Sequence, residues 1–133
     1  MRPRKVFLVF TALAVASLAL PGCQETSELP KNETAAYLFL RAASDENRRL
    51  RARTGAYAGS IEDLSSSMPD RFLRARSAYQ FRYQVERDSF AIYAAPKKYR
   101  TTGVRSFFVD QTGVVRFELG GSAGASSTPV ANR

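Results

Sequence analysis

Residues 79–85 read Tyr79-Gln80-Phe81-Arg82-Tyr83-Gln84-Val85. An aromatic or β-branched residue stands at every second position with a polar one between, the period of a strand with one buried face. Upstream the period is different. Ala36, Leu40, Ala43, Asn47 and Leu50 recur at steps of four and three, one face of an α-helix, and Phe39 and Ala42 widen that face. The change from helical to strand period between Thr54 and Ser77 decides the class: α+β, a long N-terminal helix followed by an antiparallel meander.

The boundaries follow from local chemistry. The helix is expected over Asn32–Thr54. Asn32 or Thr34 can cap it, Glu33 suits the positive end of its dipole, and Arg48, Arg49, Arg51 and Arg53 suit the negative end. Asp45 precedes Arg49 by four residues, the favourable order for a surface pair, and Gly55 terminates the run. Ser60 can cap a short turn over Ile61–Leu64, and Pro69–Ala75 is expected as a second, irregular turn. Beyond the first strand, Glu86-Arg87-Asp88 turns the chain into a second strand, Ser89–Ala94. After a loop from Pro96 to Thr102, Val104–Val109 and Val114–Glu118 read as a hairpin. Its connection, Asp110-Gln111-Thr112-Gly113, fits a type I turn with Gly113 in the left-handed position of a G1 bulge. About four strands are expected.

Composition divides the chain into four parts. Arg2, Arg4 and Lys5 precede an apolar run from Val6 to Leu20, the order of a secretory leader. As a helix that run would span only about 22 Å, short of the ~30 Å hydrocarbon core of a bilayer. Pro21-Gly22 ends it, and Cys23, the only cysteine, follows. Leu20-Pro21-Gly22-Cys23 resembles the cleavage and acylation site of bacterial lipoproteins. The resemblance implies a leader over residues 1–22 and a diacylglyceryl thioether on Cys23. With Gln24 rather than Asp next, it also implies the periplasmic face of the outer membrane. Several acyl chains would hold the protein firmly, where one gives only marginal binding. Removing the leader takes three of the 20 Lys and Arg and none of the 12 Asp and Glu, leaving 111 residues with net charge +5. Residues 23–31 are polar and read as a tether, 32–118 as the single folded domain, and 119–133, rich in Gly, Ser and Ala, as a disordered tail.

Catalytic chemistry finds little to work with. The chain has no histidine, which removes the commonest general base and metal ligand. Cys23 is assigned to lipid, and no zinc spacing or Gly-rich phosphate loop occurs. Asp45-Glu46, Glu62-Asp63 and Glu86/Asp88 read as solvated charges, and Ser65-Ser66-Ser67 lacks the flanking glycines of a nucleophile elbow. Neither catalytic residues nor a cofactor nor a metal is therefore expected, and the chain is read as a non-enzyme. The basic clusters are the better lead. Arg48–Arg53 ends the helix, Arg71, Arg74 and Arg76 follow Pro69, and Lys97, Lys98 and Arg100 flank Tyr99 in a loop. Lys97, Lys98, Tyr99 and Arg100 are the expected interaction loop. An anionic envelope polymer or DNA is the alternative ligand for such charges beside an aromatic ring.

Three stretches carry a further resemblance. Tyr79-Gln80-Phe81-Arg82-Tyr83, Phe90-Ala91-Ile92-Tyr93-Ala94-Ala95-Pro96, and Thr102–Asp110 continued by Gly113-Val114-Val115-Arg116 resemble the C-terminal half of type IV pilin-like and pseudopilin-G-like proteins. Gly55-Ala56-Tyr57-Ala58 before Leu64 resembles their helix exit, so the similarity spans residues 36–118. It implies a pilin-like head with a structural or protein-binding role, and a partner among envelope, secretion or pilus proteins. The chain lacks that family's apolar assembly helix, and no second carboxylate stands near Asp110 to build its calcium loop.

Overall fold

The computed structural model describes residues 25–131; the leader and Cys23 lie outside the described residues. Three helices precede a single antiparallel sheet: α1 (Glu25–Thr54), α2 (Ile61–Ser65), α3 (Pro69–Arg76), then β1 (Tyr79–Val85), β2 (Phe90–Pro96), β3 (Arg105–Asp110), β4 (Arg116–Leu119) and β5 (Thr128–Pro129). The strands lie in sequence order, a five-stranded meander. This is the α+β arrangement read from the change of period, with one strand more than expected.

Alternation along each strand sorts the side chains into two faces. Register aligns Phe81 with Ala94 and Tyr83 with Ile92 across β1 and β2. It then aligns Ile92 with Val109 and Ala94 with Phe107, and Phe107 with Phe117. These residues meet the helical stripe, where Ala36, Phe39, Leu40, Ala43 and Asn47 are fully buried. Phe39 anchors the junction: its ring stands 5.0 Å from those of Phe72 on α3 and Phe81 on β1. The expected hairpin turn is present, with Gly113 at φ +77° and its N–H donating to the Asp110 carbonyl.

Three local expectations are corrected. Pro30 and Lys31, read as the end of a tether, are helical and belong to α1. Continuing an existing helix avoids the cost of a new nucleus, so a short polar extension is tolerated. Pro69–Ala75, read as an irregular turn, is a helix running to Arg76. Proline at its first turn needs no N–H partner, Asp70 lies near its positive end, and Arg74 and Arg76 near its negative end.

The third correction is the tail. Residues 119–131 are ordered, not disordered: β5 pairs with β4, Val130 N–H donates to the Val115 carbonyl, and Ala123 and Ser127 are buried. Arg116 Nη1 donates to the Ser127 carbonyl at 2.9 Å, and Ser127 Oγ accepts from Gly124 N–H. The segment is held by backbone bonds and small side chains, which leave no hydrophobic run to read. It shares a cavity of about 340 Å³ with Gln80, Arg82 and Tyr93 on the sheet face away from α1.

Candidate interaction loop

The loop after β2 is built from its own backbone outward. Lys97 N–H donates to the Ala78 carbonyl, pinning the exit of β2 to the entry of β1. Thr102 closes the turn by itself: its Oγ1 accepts from Lys98 N–H at 3.0 Å and donates to the Lys98 carbonyl at 3.1 Å. Thr102 N–H donates to the same carbonyl, and Arg100 N–H donates to the Gly103 carbonyl. Arg100 is thereby held at φ +67°, the only non-glycine residue at positive φ among the described residues. That conformation costs a non-glycine residue about 1–2 kcal/mol, which the local hydrogen bonds offset.

Beneath the turn lies a buried base. Tyr79 is fully buried and its hydroxyl donates to the Arg105 carbonyl at 2.8 Å. Gly103 sits against that ring so closely that a Cβ there would stand 2.1 Å from the hydroxyl oxygen. Glycine is the residue that permits this approach. Glu33 reaches across from α1, its Oε1 accepting from Val104 N–H at 3.0 Å and Arg105 N–H at 3.2 Å. Its Oε2 stands 3.7 Å from Arg105 Nη1. Burial pushes the Tyr79 hydroxyl well above its ordinary range, the Glu33 carboxylate raises it further, and Arg105 partly opposes both. Tyr79 therefore remains a proton donor throughout the physiological range.

The expected interaction residues crown this base. Lys97, Lys98, Tyr99 and Arg100 are all exposed, Tyr99 by 51%. The Arg100 guanidinium stands 5.6 Å from the centre of the Tyr99 ring. The structure thus brings the four together on a constrained turn, and adds Glu33, Tyr79 and Gly103 as its foundation. Sequence reading gave Glu33 only a dipole role, and its actual partners lie 71 and 72 positions away.

The other singled-out groups are structural in their contacts. Asp45 pairs with Arg48 at 2.6 Å, and Glu46 stands 3.7 Å from Arg53 and 3.9 Å from Arg49. Asp88 pairs with Arg51 at 2.8 Å, tying the end of α1 to the β1–β2 turn, where Arg51 also donates to the Arg87 carbonyl. Glu62 and Asp63 are exposed in the first turn of α2, capped by Ser60 Oγ accepting from Asp63 N–H. Ser65, Ser66 and Ser67 each donate their hydroxyl to a carbonyl three residues back. Among the described residues, no three His, Cys, Asp or Glu cluster in a way that could hold a metal, and no helix is long and apolar enough to cross a membrane.

Fold and site together define an α+β domain that displays a basic, aromatic turn on a buried tyrosine. The chain belongs to the family described as a protein of unknown function (DUF2950), whose model matches residues 35–131. The match takes in the ordered C-terminal segment as well as the helix and meander. No curated protein and no solved structure matches the chain.

Proposed function

We propose that the protein is a membrane-anchored, non-catalytic interaction domain of the bacterial cell envelope. Lipid on Cys23 would hold it at the periplasmic face of the outer membrane, and a pilin-like head would contact another envelope protein through Lys97, Lys98, Tyr99 and Arg100. The observation that carries this reading is Arg100 at φ +67° in a turn closed by Thr102 and seated on Tyr79. Backbone held in a sparsely populated region persists where its surroundings determine it, and such positions cluster at recognition sites. A turn already fixed in one conformation loses little entropy on binding. The anchor rests on Leu20-Pro21-Gly22-Cys23 directly behind a complete leader. The non-catalytic reading rests on carboxylates engaged with arginines or backbone amides, as Asp45, Asp88 and Glu33 are.

Two experiments test the proposal. A photo-crosslinking residue in place of Tyr99 should capture one discrete envelope protein in intact cells. Alanine at Lys97, Lys98 and Arg100 together should abolish that capture without moving the melting temperature. A crosslink pattern indifferent to the substitutions would refute the loop's role. Separately, Cys23→Ser should abolish acylation and release the chain from the outer-membrane fraction; unchanged processing and fractionation would refute the anchor.

A further inference from the structure

We infer that the seam between the first half of α1 and α3 is a docking surface for an anionic lipid bilayer. The inference rests on the anchored reading only for how the chain reaches the membrane, not for the surface itself. Pro30, Ala35 and Leu38 on α1 and Arg74 on α3 border a cavity of about 430 Å³. Leu38 continues into a second groove of about 770 Å³, with Arg41 on one wall and Met68 and Arg71 on the other; its carboxylates are Asp70 and, at the far end, Asp45 and Glu46, which face Arg48, Arg49 and Arg53. Helical spacing makes this one stripe, since residues three or four apart share a face.

Its chemistry is amphipathic in the sense a headgroup layer requires. Leu38 is 43% exposed, and Leu73, next to Arg74 on α3, is 59% exposed. Arg41, Arg71 and Arg74 are exposed, and their side chains form no hydrogen bond, ion pair or ring contact among the described residues. The contrast with the second half of α1 is sharp: Arg48, Arg49, Arg51 and Arg53 all stand within 4 Å of a carboxylate. Asp70 is the one acidic residue on α3. Three cations with no carboxylate within 4 Å, Arg41, Arg71 and Arg74, thus stand beside exposed leucines along this seam.

Position selects the occupant. On the anchored reading the lipid sits on Cys23, two residues before Glu25, the start of α1. At ~1.5 Å per residue, Leu38 stands only about 20 Å along α1 from that junction. A domain held to a bilayer by that lipid would have its α1–α3 side within reach of the headgroups. Basic side chains then contribute about fivefold each to association with an anionic surface, an effect that fades within a Debye length and is screened by salt.

The absence of tryptophan from the chain permits a local test. The full chain carrying Leu73→Trp is mixed with vesicles of phosphatidylcholine, with or without 30% phosphatidylglycerol, some containing brominated acyl chains as quenchers. The expected result is a blue shift and quenching with the anionic vesicles alone, lost in 0.5 M salt. Arg41→Gln, Arg71→Gln and Arg74→Gln together should lower apparent affinity by about 100-fold, and Lys at the same three positions should restore most of it. A Leu119→Trp reporter on β4 should stay unquenched. Equal signals from neutral and anionic vesicles, or from both reporters, would overturn the inference, because tethering alone would explain them. So would a larger response of Leu73→Trp to soluble polyglutamate, which would assign the seam to an acidic protein. Flotation of the same samples separates the two readings. A chain that floats with neutral vesicles while Leu73→Trp stays silent keeps its anchor and loses the docking surface. One that floats with anionic vesicles alone, with the reporter shifted, keeps the surface and loses the anchor.

Discussion

Asn47→Ala should be among the most destabilising single changes in this domain. Asn47 is fully buried, two turns before the end of α1, and closes a three-membered ring of hydrogen bonds. Its Oδ1 accepts from Ala58 N–H at 2.8 Å, and its Nδ2 donates to Tyr83 Oη at 3.0 Å. Tyr83 in turn donates to the Ala58 carbonyl at 2.7 Å. The ring thus fixes helix α1, the segment entering α2 and strand β1 to one another. Truncation to alanine strands the buried Ala58 N–H, at about 1–3 kcal/mol. Loss of the second bond adds about 0.5–1.5 kcal/mol, so the total is about 2–4 kcal/mol. At roughly 4 °C per kcal/mol for a domain of this size, the melting temperature should fall by about 8–16 °C. Urea unfolding followed by near-ultraviolet circular dichroism, where tyrosine supplies the signal, measures the change. Tyr83→Phe should cost less, because Ala58 N–H keeps its acceptor. The double variant should show a coupling energy above about 0.5 kcal/mol. An Asn47→Ala protein within about 0.5 kcal/mol of the parent would refute the argument that the ring holds the helix to the sheet.

Three more outcomes follow from the same structure. Burial raises the hydroxyl pKa of both Tyr79 and Tyr83 above the ordinary 10.0. Their contribution to stability is therefore fully present below about pH 10 and lost as pH rises beyond it, and Tyr79→Phe should flatten that alkaline loss in a melting series from pH 8 to 11.5. Gly113→Val should cost about 1–2 kcal/mol in chemical denaturation, since φ there is +77° and an added Cβ would stand 2.9 Å from Arg48 Nη1. Deleting residues 122–133 should lower the melting temperature by about 8 °C or more. That deletion removes β5 and the buried Ala123, and uncovering part of an apolar face costs about 2 kcal/mol or more.

The helix and the first four strands were legible because their side chains repeat. Tyr79–Val85 was placed to the residue, and the stripe from Ala36 to Leu50 matched the buried face of α1. Gly113 was legible because only one residue type suits its backbone. What escaped was whatever depends on backbone or on distance. The segment after Leu119 is held by main-chain pairing and by Ala123 and Ser127, residues whose side chains advertise no period. Helix α3 did carry a signal in Pro69, Asp70, Arg74 and Arg76, the polarity of a helix from first turn to last. Of the loop, its exposed residues Lys97–Arg100 could be read directly. Its foundation could not, because nothing local links Glu33 to Val104 or Tyr79 to Gly103.

The meander ends differently on its two sides, and that asymmetry limits how the protein can associate. Beyond β4 the chain lays down a strand of only two residues, Thr128–Pro129, and proline brings no N–H to that border. On the far side β1 runs for seven residues and, among the described residues, is paired only with β2. Gly-, Ser- and Ala-rich sequence at the C-terminus thus acts as a stop, shutting one border of the sheet to growth. Any extra strand, from a partner or from a second copy, would have to join along Tyr79–Val85. A sheet open on a single side extends by one strand and halts, which keeps such an encounter a pairing rather than the start of a fibre.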